Sequence, residues 1–215
     1  FKNVPKNLDF INSKKIFVAY NLRFHPLIQK LIKELEDENI SSIHAYVGQY
    51  LPFWRQNRDY KGIYSSNKNM GGGVLRDLSH EIDYLNLITK GWKRLSALGG
   101  KYSNLKIDSD DTFSILYEGK KCPVCSLHLN YLDRLPRRNI IVNTDNFVLE
   151  VDLINNFYKK NNKTHKISID GNLTYTEMHK KIISGKYKML CSFDEAIYTL
   201  DTIKAAEKSA TSKSM

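Results

Sequence analysis

Hydrophobic and polar positions in the N-terminal part of the chain follow two periods. Residues 16–20, IFVAY, form an apolar run that is typical of a β-strand. Pro26 suits the first turn of a helix, and apolar residues then recur at helical spacing, at Leu27, Ile28, Leu31, Ile32 and Leu35. A further apolar run over residues 43–50 predicts a second strand.

The chain after Gly91 is rich in predicted strands. Several segments alternate apolar and polar residues, as strands do in an antiparallel sheet with one covered face. The predicted strands span residues 94–102, 112–117, 125–132, 140–143, 147–153 and 165–169. The fold class that follows is α+β, with a mostly antiparallel open sheet and helices packed on one face.

Two helices are predicted near the C-terminal end. The first begins at the capping-box pattern TYTE, residues 174–177, and ends near Gly185. The second begins at SFDE, residues 192–195, and directs Ile197, Leu200 and Ile203 inward.

A further helix is predicted between the glycines 71–73 and Gly91, and it has two faces. Its apolar stripe consists of Leu75, Leu78, Ile82 and Leu85. The opposite stripe carries Asp77, His80, Glu81 and Tyr84 at i, i+3, i+4 and i+7. The pattern leaves two interpretations open. The stripe is a solvated face, or it is a reaction centre in which Asp77 orients His80 as a general base.

Residues 51–73 have no apolar periodicity and mix aromatic, arginine and small polar residues. Segments of this length without regular structure are usually functional loops or disordered. Phe53, Trp54, Tyr60 and Tyr64 favour an ordered loop, because four exposed aromatic rings would be costly in water.

Length and composition predict a globular protein with one main core. The chain has 215 residues, of which 41% are hydrophobic. It contains no apolar run of the ~20 residues that a membrane helix needs, and its first residues do not have the pattern of a signal peptide. The prediction is a cytoplasmic protein with no membrane partner.

The net charge of +10 does not by itself identify a partner. Lysines are spread along the whole chain, and no nucleic-acid reading module is recognisable, so a nucleic-acid partner is not predicted. A positive field that attracts a small anionic substrate agrees equally well with this charge.

Cys122 and Cys125 form the only C-x-x-C motif in the sequence. A second pair that would complete a zinc site is missing, so no metal is predicted. A turn leading into a strand is the simpler interpretation, with redox or metal use as the alternative.

Five segments, in this order, resemble the second domain of the Gfo/Idh/MocA oxidoreductase family, named after glucose-fructose oxidoreductase and inositol dehydrogenase. They are YNLRFHP (20–26), YLPFWRQNRDYKGIYSS (50–66), GGGVLRDLSHEIDYL (71–85), HLNYLDRLPRR (128–138) and CSFDEAIYTLDTIKAAEKSA (191–210). The resemblance implies an α+β domain of an enzyme that moves hydride between NAD or NADP and a sugar or cyclitol.

The sequence departs from the family in its cofactor-binding features. No G-x-G-x-x-G follows a strand, and the Glu-Lys-Pro segment of the family has no counterpart. Residues 1–20 resemble the end of a Rossmann domain, and 21–215 the C-terminal substrate-binding and oligomerisation domain. The expectation is that the chain alone is inactive and that the absent domain holds most of the cofactor.

The resemblance assigns roles to individual residues. His80 matches the catalytic histidine and Asp77 its orienting carboxylate, although many members space the pair as D-x-x-x-H and this chain has D-x-x-H. Asn21 matches a position that faces substrate and nicotinamide, whereas Arg23 matches a structural one. The remaining substrate-binding candidates are Trp54, Arg55, Tyr60, Tyr64 and Arg138, with Arg134 and Arg137 as weaker ones.

The leading function is a sugar, nucleotide-sugar or acidic-sugar oxidoreductase that forms homodimers or tetramers through its sheet. Residues 50–66 resemble members that serve surface-glycan biosynthesis. The alternative is a sugar-binding or assembly module without catalytic activity.

Overall fold

The computed structural model describes residues 16–55 and 57–212. An eight-stranded sheet is the largest part of the fold. Its strands are β2 (Ile40–Gly48), β3 (Trp92–Gly100), β4 (Thr112–Gly119), β5 (Val124–Asn130), β6 (Arg137–Thr144), β7 (Val148–Asp152), β8 (Phe157–Lys160) and β9 (Lys163–Lys166). Their order in the sheet is β3-β4-β5-β2-β6-β7-β8-β9. Neighbouring strands are antiparallel except for the parallel pair β2 and β5.

A separate two-stranded sheet joins the beginning of the described chain to its C-terminal part. Strand β1 (Phe17–Val18) pairs antiparallel with β10 (Cys191–Ser192). The predicted Rossmann remnant, residues 1–20, lies mostly outside the described residues.

Helices cover one face of the large sheet, and the predicted α+β class is confirmed. The described helices are α1 (Pro26–Glu34), α2 (Val74–Asp77), α3 (Ser79–Thr89), α4 (Leu173–Ile183) and α5 (Phe193–Thr211). Helix α1 contacts β7, α2 contacts β4 and β5, and α5 contacts β3. None of these helices is long and apolar enough to span a bilayer.

The strands bury alternate residues, which places the core between the sheet and the helices. In β4, Phe113, Ile115 and Tyr117 are buried, whereas Ser114 and Leu116 lie exposed on the other face. That second face has no covering helix within the described residues, and it is called the open face below.

Two predictions about helices were wrong, and two local features were not predicted. The helix after the glycines is two helices, since Leu78, at φ −100° and ψ 28°, interrupts it. Strand β8 was not predicted, and residues 51–70 contain four short 3₁₀ turns. The TYTE box does not cap α4, whose N-cap is Asn172 without a side-chain bond. Thr174 lies inside α4 and accepts a hydrogen bond from Asn21 Nδ2 at 2.7 Å.

The second capping box is confirmed. Ser192 Oγ accepts from the backbone N–H of Glu195, and the Glu195 carboxylate accepts from the N–H of Ser192. The same carboxylate lies 3.1 Å from Arg23, whose guanidinium also binds Asp83 through two bonds of 2.7 and 2.8 Å. Because Arg23 and Asp83 are almost completely buried, this ion pair fixes the turn after β1 against α3 and α5, which agrees with a structural role for Arg23.

Candidate functional site

The glycine turn before α2 brings backbone segments into close contact. A Cβ on Gly72 would collide with the carbonyl oxygen of Tyr64, and one on Gly73 would collide with the carboxylate of Asp110. That carboxylate accepts from the N–H of Leu75 at 3.0 Å and thereby caps α2. The turn approaches protein atoms from both sides, so these residues do not fit a cradle for dinucleotide phosphates.

His80 lies in the first turn of α3 with its imidazole largely buried. Its Nδ1 atom is buried and has no hydrogen-bond partner among the described residues. Burial lowers the pKa of His80 to about 4, and the positive charge of Arg138 acts in the same direction. The ring of Tyr20 meets the imidazole edge-on at 5.3 Å, and its hydroxyl donates to Ser79 Oγ at 3.3 Å. His80 is therefore a neutral imidazole at neutral pH.

Asp77 does not have the partner that its spacing to His80 suggested. Its Oδ2 accepts a hydrogen bond of 2.6 Å from the hydroxyl of Tyr131, and the Nδ1 of His80 stays unpaired in the described structure. Asp77 ends α2, whereas His80 lies in the first turn of a separate helix that begins at Ser79, after the interruption at Leu78. The orienting role of Asp77 towards His80 therefore stays a prediction, and no hydrogen bond between the two is found among the described residues.

The polar stripe is not a solvated face, so that interpretation is also wrong. Glu81 is 0% exposed and Tyr84 1% exposed. The Nε of Arg138 lies 2.8 Å from the Glu81 carboxylate in a largely buried ion pair. The predicted substrate ligand Arg138 thus has a protein carboxylate as its partner. Arg137, on the other side of the strand, is exposed and lies 3.7 Å from Asp133.

Two of the predicted substrate-binding residues, Trp54 and Tyr64, lie around Asp77 and Tyr131. The ring of Trp54 packs edge-on against Tyr131 at 5.2 Å. Tyr64 is 43% exposed, and its pKa is raised by partial burial and by the charge of Asp77. Arg55 is exposed, and its charge acts on Tyr64 in the opposite direction.

Two other predicted substrate ligands have protein partners. The buried amide of Asn21 donates to Thr174, and the Tyr60 hydroxyl accepts from the N–H of Lys106 at 3.3 Å. The sequence interpretation also omitted Tyr20 and Tyr131 from the site. Both belong to segments that carry the family resemblance, YNLRFHP and HLNYLDRLPRR, and this was the signal that could have identified them.

The C-x-x-C motif leads into β5, as the simpler interpretation predicted. Cys122 and Cys125 are buried free thiols, and burial raises the pKa of Cys125 to about 12. In the described ranges, no group of three or more His, Cys, Asp or Glu side chains is arranged to hold a metal ion.

No protein-family model and no curated protein matches the sequence. Several solved structures share the fold. An oxidoreductase from Thermotoga maritima matches at 18% identity with a TM-score of 0.75, over 92% of this chain and 61% of its own. A UDP-N-acetylglucosamine 3-dehydrogenase from Acidithiobacillus ferrooxidans matches at 15% identity and a TM-score of 0.74, over 95% and 64%.

A levoglucosan dehydrogenase in complex with NADH is similar at 17% identity with a TM-score of 0.79, over 96% of this chain and 67% of its own. At such identities the comparisons establish the fold, which is the one that the Gfo/Idh/MocA resemblance predicted. The chain spans less than two thirds of the first of these structures.

Proposed function

We propose that the chain is the substrate-binding and oligomerisation domain of an NAD(P)-dependent oxidoreductase of the Gfo/Idh/MocA type that acts on a sugar or nucleotide sugar. The support is the fold shared with dehydrogenases whose names specify sugar substrates, together with the environment of His80. A cytoplasmic role in surface-glycan biosynthesis agrees with the resemblance of residues 50–66.

The observation that carries the proposal is the largely buried imidazole of His80 in the first turn of α3, whose Nδ1 has no hydrogen-bond partner among the described residues. Oxidation of a sugar hydroxyl to a carbonyl requires that a hydride leaves the carbon for a nicotinamide and that a proton leaves the oxygen. His80 is unprotonated at neutral pH, which is the form that accepts this proton. The buried Glu81–Arg138 pair places a positive charge close to the ring and helps to keep it unprotonated.

The substrate lies beside Asp77, Tyr64 and Trp54 in this proposal. A partly exposed carboxylate and a tyrosine hydroxyl can both hydrogen-bond sugar hydroxyls, and an indole ring can cover an apolar sugar face. Arg55 is exposed and free to meet the phosphate of a nucleotide sugar or the carboxylate of an acidic sugar. Asn21 and Arg138 act by positioning, since each already has a protein partner.

The nicotinamide cofactor is held by a further domain of the complete protein. The glycine turn of this chain is packed against Tyr64 and Asp110 and leaves no room for phosphates. This domain arrangement predicts that the chain by itself has no turnover. A second copy of the chain covers the open face, which carries exposed apolar side chains.

The test incubates the complete gene product with UDP-sugars or free sugars and with NAD or NADP. Turnover is measured as the change in nicotinamide absorbance. We expect turnover with one sugar class and a loss of roughly 10²- to 10⁴-fold in kcat for His80→Ala. Cofactor affinity, measured by fluorescence titration, should stay nearly unchanged.

His179→Ala is the matched control, because His179 is exposed on α4 and is not among the proposed site residues. Turnover by His80→Ala at the rate of this control would refute the catalytic assignment. Sugar binding without turnover in the wild-type protein would instead favour the non-catalytic binding module.

A further inference from the structure

Tyr131 is a buried tyrosine directly after β5, and both its backbone and its side chain are fixed. Its N–H donates to Asp111 O at 2.9 Å, and its carbonyl accepts from the N–H of Leu51 at 3.0 Å. The side chain is 0% exposed, and Trp54 packs edge-on against the ring. The hydroxyl therefore has little freedom to change its direction.

The Tyr131 hydroxyl has a single hydrogen bond, to Asp77, among those found in the described structure. The donor–acceptor distance of 2.6 Å is at the short end for a hydroxyl that donates to a carboxylate. Burial and the charge of Asp77 raise the pKa of Tyr131, so the hydroxyl remains protonated and keeps donating. One carboxylate oxygen of Asp77 is held by this bond.

Asp77 lies at the surface beside Tyr64. Asp77 is partly exposed, Tyr64 is exposed by 43%, and the Tyr64 hydroxyl interacts with the Asp77 carboxylate. Asp77 is the last residue of the short helix α2, which packs against β4 and β5. Strand β5 leads directly into Tyr131. A partly exposed carboxylate with one oxygen held by a buried donor still has acceptor capacity for a hydrogen bond from a ligand hydroxyl.

We propose that Tyr131 is a positioning residue that fixes one oxygen of Asp77 so that the other binds a hydroxyl of the sugar. This inference rests on the proposed function and deepens it, because it assigns Asp77 to the sugar rather than to His80. The carboxylate with the adjacent Tyr64 hydroxyl favours a neutral, hydroxyl-bearing part of the sugar, since an anionic group would be repelled by Asp77.

The test is Tyr131→Phe in the complete protein, which removes the hydroxyl and keeps the ring that packs on Trp54. We expect the KM for the sugar to rise roughly 10- to 100-fold, as for a lost hydrogen bond to a charged group, with cofactor KM unchanged. Tyr117→Phe on β4 is the matched control, because Tyr117 is also a buried tyrosine in the same sheet. It should leave the sugar KM unchanged.

A double-mutant cycle separates positioning from a loss of general stability. Asp77→Ala should raise the sugar KM on its own, and adding Tyr131→Phe to it should change the KM no further. Additive effects of the two substitutions on the sugar KM, or a Tyr131→Phe variant that behaves like Tyr117→Phe, would overturn the inference. Turnover of a sugar by the wild-type protein would leave the proposed function intact in either case. If the wild-type protein shows neither turnover nor sugar binding, the proposed function and this inference are both overturned.

Discussion

At the scale of single residues, His80 couples the stability of the protein to pH. Its folded-state pKa is about 4, against an ordinary value of 6.5, because burial and Arg138 disfavour the imidazolium. The unfolded chain therefore binds the proton more readily than the folded one. The stability that His80 contributes is complete above pH 6.5 and is lost as pH falls towards 4.

The expected result is that His80→Gln flattens this part of the pH profile. The wild-type protein should lose about 3 kcal/mol at most through His80 between these two pH values, since one pKa unit corresponds to about 1.4 kcal/mol. Urea unfolding of both proteins at several pH values measures the difference. His25 and His128 also have lowered pKa values, but they titrate in both proteins and cancel. Parallel profiles would show that His80 is not held neutral by the fold.

At the scale of elements, the glycine turn sets the distance between the segment that carries Tyr64 and helix α2. A methyl group on Gly72 would collide with the carbonyl oxygens of Tyr64 and Ser65, which are backbone atoms and cannot rotate away. We expect Gly72→Ala to destabilise the protein by about 1–3 kcal/mol and to raise the sugar KM, because Tyr64 must move. Thermal unfolding and steady-state kinetics measure the two effects.

Gly62→Ala is the control for this prediction, because a Cβ there meets no atom within 4 Å. It should change the free energy of unfolding by less than about 1 kcal/mol and leave kinetics unchanged. Equal behaviour of the two variants would mean that the close packing of this turn does not position Tyr64.

Much of the element pattern could be predicted from periodicity. Strand β4 is predicted over residues 112–117 and spans Thr112–Gly119. This prediction succeeds because alternating burial along a strand requires alternating apolar and polar residues in the sequence. The break at Leu78 could not be predicted, since leucine is a good helix former and local propensity gives no reason to stop there. At Thr174 the local pattern predicts a helix cap that does not form. Its hydroxyl instead accepts a hydrogen bond from Asn21, which is distant in sequence.

The candidate site was only partly predictable for the same physical reason. His80 and Asp77 lie in one short motif, so a local pattern suggested them together. Asp77 is bonded by Tyr131, which follows β5, and the charge that acts on His80 belongs to Arg138 of β6, whose own partner is Glu81. Hydrogen bonds between such distant segments depend on strand order, and strand order has no local signal in a single sequence.

At the scale of the whole molecule, the open face is suited to bind a protein partner, because apolar side chains are exposed on it. Leu98, Leu116 and Ile141 are exposed by 64%, 55% and 40% on neighbouring parts of the sheet. They line a groove of about 770 Å³ together with His44, Ser126, His128 and Ser114. These polar groups already bond each other, His44 Nδ1 with Ser126 Oγ and His128 Nδ1 with Ser114 Oγ, both at 2.7 Å. A covering partner would therefore gain apolar contacts, and these two histidine–serine pairs would keep their hydrogen bonds on burial.

A second copy of the chain is the proposed partner, and Leu116→Glu tests this. The wild-type protein should sediment as a dimer or larger species in sedimentation velocity, and the variant as a monomer, because an unpaired carboxylate would be buried at the interface. Ile183→Glu is the control, since Ile183 is 86% exposed at the end of α4 and not on the sheet. A stable interface needs about 800 Å² from each partner, so loss of the dimer should be complete if Leu116 lies near its centre. Association that survives Leu116→Glu would place the contact on another surface.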